Sequence, residues 1–337
     1  MNNRKVVIIG GAGFIGHHLA LALNEAGADV KVIDGLQINN IISLRTTNAH
    51  LPHRDLYARM LDERLELLAE NDIELLIQDA RDYHALGRLL EQMQPDVIVH
   101  AAAVAHAGQS NKDPYTTFDH SLRTLENALD YARDNVDQFI FLSSSMVYGN
   151  FLTAEVEETH PLEPMGIYGA LKVAGEKMVI AYKQVFDLDY TIVRPSALYG
   201  ERCISRRVGQ VFIENALYGK PLQVAGEGAE RLDFTYIGDL VHGIMRTIEA
   251  PQARNEIFNL TYGESRALAD LVAVMQDHFP GIEVNYTERD KLMPKRGTLS
   301  VEKARRLIGY APQNPVEIGF PKYIEWYRSF VPEASAR

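Results

Sequence analysis

Short β-branched runs alternate along this chain with longer segments whose apolar residues recur at helical spacing. Residues 6–9, 30–33, 75–77, 97–99, 139–142 and 190–193 read as buried strands. Between them, residues 14–26, 82–93, 116–133 and 168–185 read as helices. A repeated strand–helix–strand beat implies parallel pairing with helices on both faces. Right-handed crossovers then give an α/β fold, a doubly wound parallel sheet.

Two stretches depart from that beat. Residues 37–70 begin as an uneven polar loop and continue over 56–68 with apolar residues at helical spacing. This insertion after the second strand reads as a loop and an amphipathic helix, serving as surface decoration, lid or oligomer contact. Beyond Gly200, turn signals such as Gly219-Lys220-Pro221 and Gly226-Glu227-Gly228 cut the chain into short pieces. Helices are expected over 268–279 and 316–327, and a strand over 257–260 returning to the main sheet. The expected organisation is a dinucleotide-binding domain over 1–195, with a return segment near 233–260. A smaller C-terminal α/β lobe covers 196–232 and 261–337, and its tail 332–337 reads as frayed.

The 337 residues are 46% hydrophobic and carry a formal net charge of −11. Such a chain can build a sizeable core, and its acidic balance argues against nucleic acid or anionic membrane as a partner. No apolar run approaches the roughly 20 residues of a membrane span, and no signal-peptide pattern opens the sequence. Cys203 is the single cysteine, which excludes an internal disulfide or a cysteine zinc cluster. The expectation is a soluble cytoplasmic protein.

The first chemical motif is Gly10-Gly11-Ala12-Gly13-Phe14-Ile15-Gly16, directly after a strand and opening a helix. Glycines there permit a tight turn and let backbone N–H groups approach a pyrophosphate at a helix N-terminus. Phe14 and Ile15 then face the core. Asp34 ends the next strand about 20 residues on, where a carboxylate accepts from ribose hydroxyls and repels a 2′-phosphate. This favours NAD over NADP. Asp79 ends the third strand and is placed either to accept from the adenine amino group or to cap the following helix.

Tyr168 and Lys172 lie one helical turn apart, on one face. A neighbouring ammonium stabilises a phenolate and makes tyrosine a usable base near neutral pH. Ser143, Ser144 and Ser145 end a strand at the sheet's carboxyl edge, where such folds bind ligands. The histidines show no clustered ligand spacing, so no metal is expected, and His100 and His106 are explained by packing or cofactor contact.

Together these motifs resemble the extended short-chain dehydrogenase/reductase family, specifically its nucleotide-sugar epimerases and dehydratases. The likeness runs through His100-Ala101-Ala102-Ala103, Arg194-Pro195-Ser196-Ala197-Leu198-Tyr199-Gly200 and Asp233-Phe234-Thr235-Tyr236-Ile237-Gly238-Asp239, to Lys303-Ala304-Arg305-Arg306-Leu307-Ile308-Gly309-Tyr310. The resemblance implies a Rossmann domain holding NAD and a catalytic trio of Ser144, Tyr168 and Lys172. It places the cofactor on Gly10, Gly13, Phe14, Ile15, Gly16 and Asp34. Further cofactor contacts are implied at Asp79, Ala80, Ala101, Ala102, Ala103, Tyr168, Lys172 and Pro195. A nucleotide-sugar substrate would meet Ser144, Ser145, Tyr168, Ala197, Arg231 and Arg296, the two arginines neutralising phosphate.

The departures narrow the reaction. Ile9 replaces a threonine, Ala197 an asparagine, and Leu232 an arginine, with Arg231 one place earlier. The family's Asn-x-x-Gly-Thr helix element is replaced around Ser121-Leu122-Arg123-Thr124-Leu125. Relatives that eliminate water carry an Asp-Glu pair where this chain has Ser145 and Met146, and relatives that decarboxylate carry a glutamate at the second position. The resemblance therefore implies C4 epimerisation of a UDP-hexose or UDP-hexuronate. The alternative is an NAD(P)-dependent reductase or dehydratase acting on a nucleotide-linked sugar. It also implies a homodimer through the helices near 116–133 and 168–185, with Leu122, Leu125 and Leu129 as an apolar stripe.

Overall fold

The computed structural model describes residues 1, 3–38, 40–46, 53–104, 107–288 and 293–331. His106, the tail 332–337 and part of the 37–70 insertion lie outside the described residues.

Seven strands hydrogen-bond into one parallel sheet: β1 (Lys5–Ile9), β2 (Asp29–Asp34), β3 (Glu74–Ile77), β4 (Val97–His100), β5 (Gln138–Leu142), β6 (Tyr190–Arg194) and β7 (Glu256–Asn259). Their spatial order is β7-β6-β5-β4-β1-β2-β3. The order reverses between β1 and β4, which opens a crevice at their carboxyl ends. β1, β4, β5 and β6 are buried almost throughout, as continuous apolar runs flanked by two helical layers must be. β3 differs from the buried strand expected. It is the sheet edge, and Ile77 is 70% exposed.

The layers are built from α1 (Phe14–Glu25), α2 (Arg54–Glu70), α3 (Tyr83–Met93), α4 (Thr124–Asn135), α5 (Gly166–Phe186), α6 (Val208–Leu217) and α7 (Ile237–Glu249). α3 starts on Asp82, whose carboxylate accepts from Ala85 N at 3.0 Å, so the cap is Asp82 and not Asp79.

Residues 116–133 do not form one helix. Helix Pro114–Phe118 runs into a π-helical turn, Asp119–Arg123, before α4 begins. Asp119 in that turn accepts from Arg81 at 2.9 Å and pairs with Arg123, tying the turn to the loop after β3. The stripe Leu122, Leu125 and Leu129 is not an open face either. It is buried with Phe139, Phe141 and Val179 in the core beneath the sheet.

The helical part of the insertion, α2, is not surface decoration. The first part of the insertion contains a short helix, Ile41–Thr46. α2 sends Leu56, Tyr57 and Met60 into a second core with Phe212, Phe320 and Tyr327, and Leu68 into the main core with Val32. Tyr57 and Tyr327 both donate to the buried Glu214. α2 is thus a strut between two cores. In the second core, strand Leu222–Ala225 pairs in parallel with Val284–Thr287. Among the described residues, no helix is long and apolar enough to cross a membrane.

Candidate active site

The turn from β1 into α1 is shaped by two glycines. Gly10 has φ +83°, and a Cβ there would lie 2.6 Å from Ala102 N. A Cβ on Gly16 would lie 2.4 Å from Gly11 Cα, so only glycine lets α1 close onto the turn. The Asp34 carboxylate reaches across from β2 and accepts from Ala12 N at 3.0 Å and Leu36 N at 2.8 Å. Burial raises its pKa, and those two N–H groups oppose the rise. α2 braces the same turn: Arg64 donates to Ala12 O at 3.3 Å and to Arg202 O.

A cavity opens over this turn, lined by Gly10, Gly13, Asp34, Asp79, Ala80 and Ala101–Ala103. The residue types suit an adenosine diphosphate half of a dinucleotide: unhindered backbone at the helix N-terminus and an acid at the end of β2. Asp79 is already engaged. Arg81 binds both of its oxygens, at 2.6–3.1 Å, and holds its carboxyl below the usual range. Phe14 and Ile15 are half-buried, and Ile15 lines the adjoining cleft.

That cleft, about 440 Å³, is where the remaining motifs meet. The chain leaves β5 through Ser143, whose N–H donates to Val193 O at 2.8 Å. Ser144 then caps a short helical turn, Ser145–Tyr148, accepting from Met146 N at 3.2 Å. α5 brings Tyr168 and Lys172 to the same place. Tyr168 is half-buried overall but its phenol end is enclosed, which pushes its pKa up. The charge of Arg207 and a hydrogen bond with Ser144 oppose that rise.

The lysine shares that helix face, as its spacing predicts, and its ammonium is also held by the strand end. Lys172 Nζ donates to Leu142 O at 2.6 Å, stands 4.9 Å from the Phe141 ring centroid, and lies 5.9 Å from that of Tyr168. Burial pulls its pKa down to about 8, with Glu176 supporting the charged form.

Beneath the trio lies an ionic network whose pairing no motif announces, although Arg194 opens one of the quoted motifs. Arg194, last in β6, donates Nε and Nη2 to the two Glu176 oxygens at 2.9 and 2.6 Å, both side chains being at most 2% exposed. Its Nη1 donates to Tyr148 Oη and Glu158 O, and the Ser143 hydroxyl donates to Glu176. For Glu176 the available signal was spacing: it follows Lys172 by one turn. His100 is buried between Phe139 and Phe141; burial and the Lys172 charge push its pKa down to about 3, so it is neutral.

The cleft is also lined by Ser145, Met146, Pro195 and Ala197, and by Arg296 and Arg207. Ala197 holds a left-handed backbone, φ +39°. Arg231 does not reach the cleft. Its neighbours Glu230 and Leu232 line it, while the alternation of an extended chain turns Arg231 onto Ser265. Arg207, which carried no sequence signal, stands in the cleft immediately before α6.

Three comparisons bear on this site. A model of the NAD dependent epimerase/dehydratase family matches residues 6–261. The uncharacterized UDP-glucose epimerase YtcB of Bacillus subtilis (strain 168) is 30% identical over 331 residues, which span 96% of this chain and 98% of YtcB. The crystal structure of UDP-glucuronic acid 4-epimerase from Bacillus cereus, in complex with UDP-glucuronic acid and NAD, superposes with a TM-score of 0.86 at 25% identity. That likeness covers 97% of this chain and 100% of the other. DesIV, a dTDP-glucose 4,6-dehydratase from Streptomyces venezuelae with NAD bound, gives 0.82 at 26%, covering 96% and 97%.

Proposed function

The chain belongs to the NAD dependent epimerase/dehydratase family, and from that premise we propose that it is an NAD-dependent 4-epimerase of a UDP-hexose or UDP-hexuronate. One observation carries the choice within the family. The Ser144, Tyr168 and Lys172 side chains converge on one cleft, while the adjacent positions that would move a proton to or from the sugar ring are Ser145 and Met146. Neither is an acid or base near neutral pH.

When bound, NAD supplies a reversible two-electron acceptor that is restored in each turnover. Tyr168 takes the proton from the sugar 4-hydroxyl, and Ser144 holds that oxygen by hydrogen bonding. Lys172 supplies a positive charge beside them and, in this reading, would hold the nicotinamide ribose. The 4-keto sugar then turns within the cleft, and Tyr168 returns the proton to the epimeric oxygen. Residues 1–195 with the return segment 233–260 carry the cofactor in this reading, and 196–232 with 261–337 carry the nucleotide sugar. A homodimer is part of the proposal. It is supported by exposed Tyr115, Phe118 and Val185 on or beside the helices named for it, and a monomer in sedimentation at micromolar concentration would count against it.

The test is to mix purified protein with a panel of nucleotide sugars, without added cofactor, and resolve the products by chromatography. Interconversion of 4-epimers supports the proposal. A reaction that waits for NAD(P)H would indicate a reductase, and loss of water from the sugar a dehydratase.

A further inference from the structure

We propose that Arg64 is a positioning residue for the cofactor: from behind the turn between β1 and α1 it supplies the positive charge that the diphosphate of a bound dinucleotide meets from the other side. The inference concerns the cofactor, so it stands whether the sugar is epimerised, reduced or dehydrated.

Arg64 lies in the middle of α2 and is 1% exposed. A guanidinium keeps its charge in a protein, and taking that charge out of water is costly unless an anion meets it. The Arg64 donors go to backbone carbonyls. Nε and Nη2 both donate to Arg202 O, the former at 3.1 Å, and Nη1 donates to Ala12 O at 3.3 Å. Among the described residues, no carboxylate lies within ion-pair distance of it. Arg194, buried as deeply, has both oxygens of Glu176. Asp34, across the turn, gives one oxygen to Ala12 N and the other to Leu36 N.

A second arginine completes the brace. Arg202 Nε donates to His17 Nε2 at 3.0 Å, and His17 Nδ1 donates to Gly13 O at 2.8 Å. Arg202 has an acid of its own, Glu63 at 3.6 Å, so the unmatched cation of the pair is Arg64. The carbonyls of two consecutive turn residues, Ala12 and Gly13, are thereby held by side chains. In a trans peptide the N–H points opposite the C=O, so fixing Gly13 O aims the Phe14 N–H out of the N-terminus of α1. Gly10 and Gly13 line the cavity over this turn, where an anion is favoured. Arg64 bonds Ala12, the residue before Gly13, and so stands one peptide behind that wall. A diphosphate seated there would meet oriented N–H groups backed by a full charge that spends nothing on an acid.

The experiment measures the affinity of the full chain, freed of bound nucleotide, for NAD, ADP and adenosine. It compares the unaltered protein with Arg64→Met, Arg64→Gln and Arg64→Lys. ADP carries the diphosphate and adenosine does not, so their ratio isolates the charge, whereas a purely structural loss weakens both alike. In Arg64→Met, NAD and ADP should bind about tenfold more weakly and adenosine within about twofold of the unaltered protein, the size of one charge acting through a partly screened medium. Arg64→Gln, which keeps a donor for the carbonyls, should behave the same and serves if the methionine variant does not fold. Arg64→Lys keeps the charge and should hold ADP within about threefold. Equal weakening of ADP and adenosine would overturn the proposal, as would unchanged ADP affinity in either neutral variant. A lysine variant as weak for ADP as the methionine one would also overturn it, since the charge would then not be what acts.

Discussion

Truncating Arg194 to methionine tests what holds the catalytic edge of the sheet in place. The guanidinium ties the end of β6 to α5 through both oxygens of Glu176, and to the Ser145–Tyr148 turn through Tyr148. Arg194→Met leaves the Glu176 carboxylate buried with Ser143 as its remaining side-chain donor. Breaking a buried pair from one side costs about 3–5 kcal/mol, because the surviving charge keeps its desolvation penalty. Glu176→Leu should cost a similar amount by stranding the guanidinium. Removing both partners removes that penalty. The double variant then lacks partners chiefly for the Ser143 hydroxyl and Glu158 O, at about 1 kcal/mol each.

Urea denaturation of the four proteins at pH 7 gives the cycle directly. The double variant should be more stable than either single one, with a coupling energy of at least about 2 kcal/mol. Single effects that add to the double within about 0.5 kcal/mol would show the pair to be uncoupled and the reasoning wrong. Glu176→Gln adds a functional readout. It removes the charge that supports the Lys172 ammonium, so the Lys172 pKa should drop below about 8 and the alkaline limb of the pH–rate profile should move to lower pH.

Tyr168→Phe should lower turnover by about 10²–10⁴-fold with NAD still bound; near-normal epimerisation would mean that Tyr168 is not the base. NAD should bind the unaltered protein far more tightly than NADP, and Asp34→Ala should narrow the gap by removing the charge that repels a 2′-phosphate; equal affinities in the unaltered protein would refute the assignment. Asp233 is wholly buried and its pKa is pushed up to about 6 by desolvation, from 3.8, against hydrogen bonds from Leu299 N, Thr261 and Gly263 N. The folded state therefore holds this proton longer, and between pH 3.8 and 6 the group should remove about 3 kcal/mol of stability as pH rises. Denaturation across that window should show this slope in the unaltered protein and its loss in Asp233→Asn; parallel profiles would contradict it.

What could be read from residue order was whatever the chain decides over short distances. β1, β2 and β4 to β6 are buried runs of apolar side chains, and the glycine turn needs backbone freedom at Gly10 and Gly16, where a Cβ collides. Tyr168 and Lys172 share a helix face because they are four apart, and that spacing brought both to the cleft, with the Lys172 ammonium 5.9 Å from the Tyr168 ring centroid.

Tertiary packing decided the rest. Arg231 and Arg207 look alike in sequence, but strand alternation faces one toward Ser265 while the entry to α6 delivers the other into the cleft. The stripe on Leu122, Leu125 and Leu129 is covered by the chain's own core, and the 37–70 insertion joins two cores through α2. Glu176 and Arg194 lie 18 residues apart, on a helix and a strand, and meet only when α5 lies on β6. Periodicity and turn chemistry are properties of neighbours along the chain. A buried charge needs a partner, and which side chain supplies it depends on which elements the folded sheet brings together.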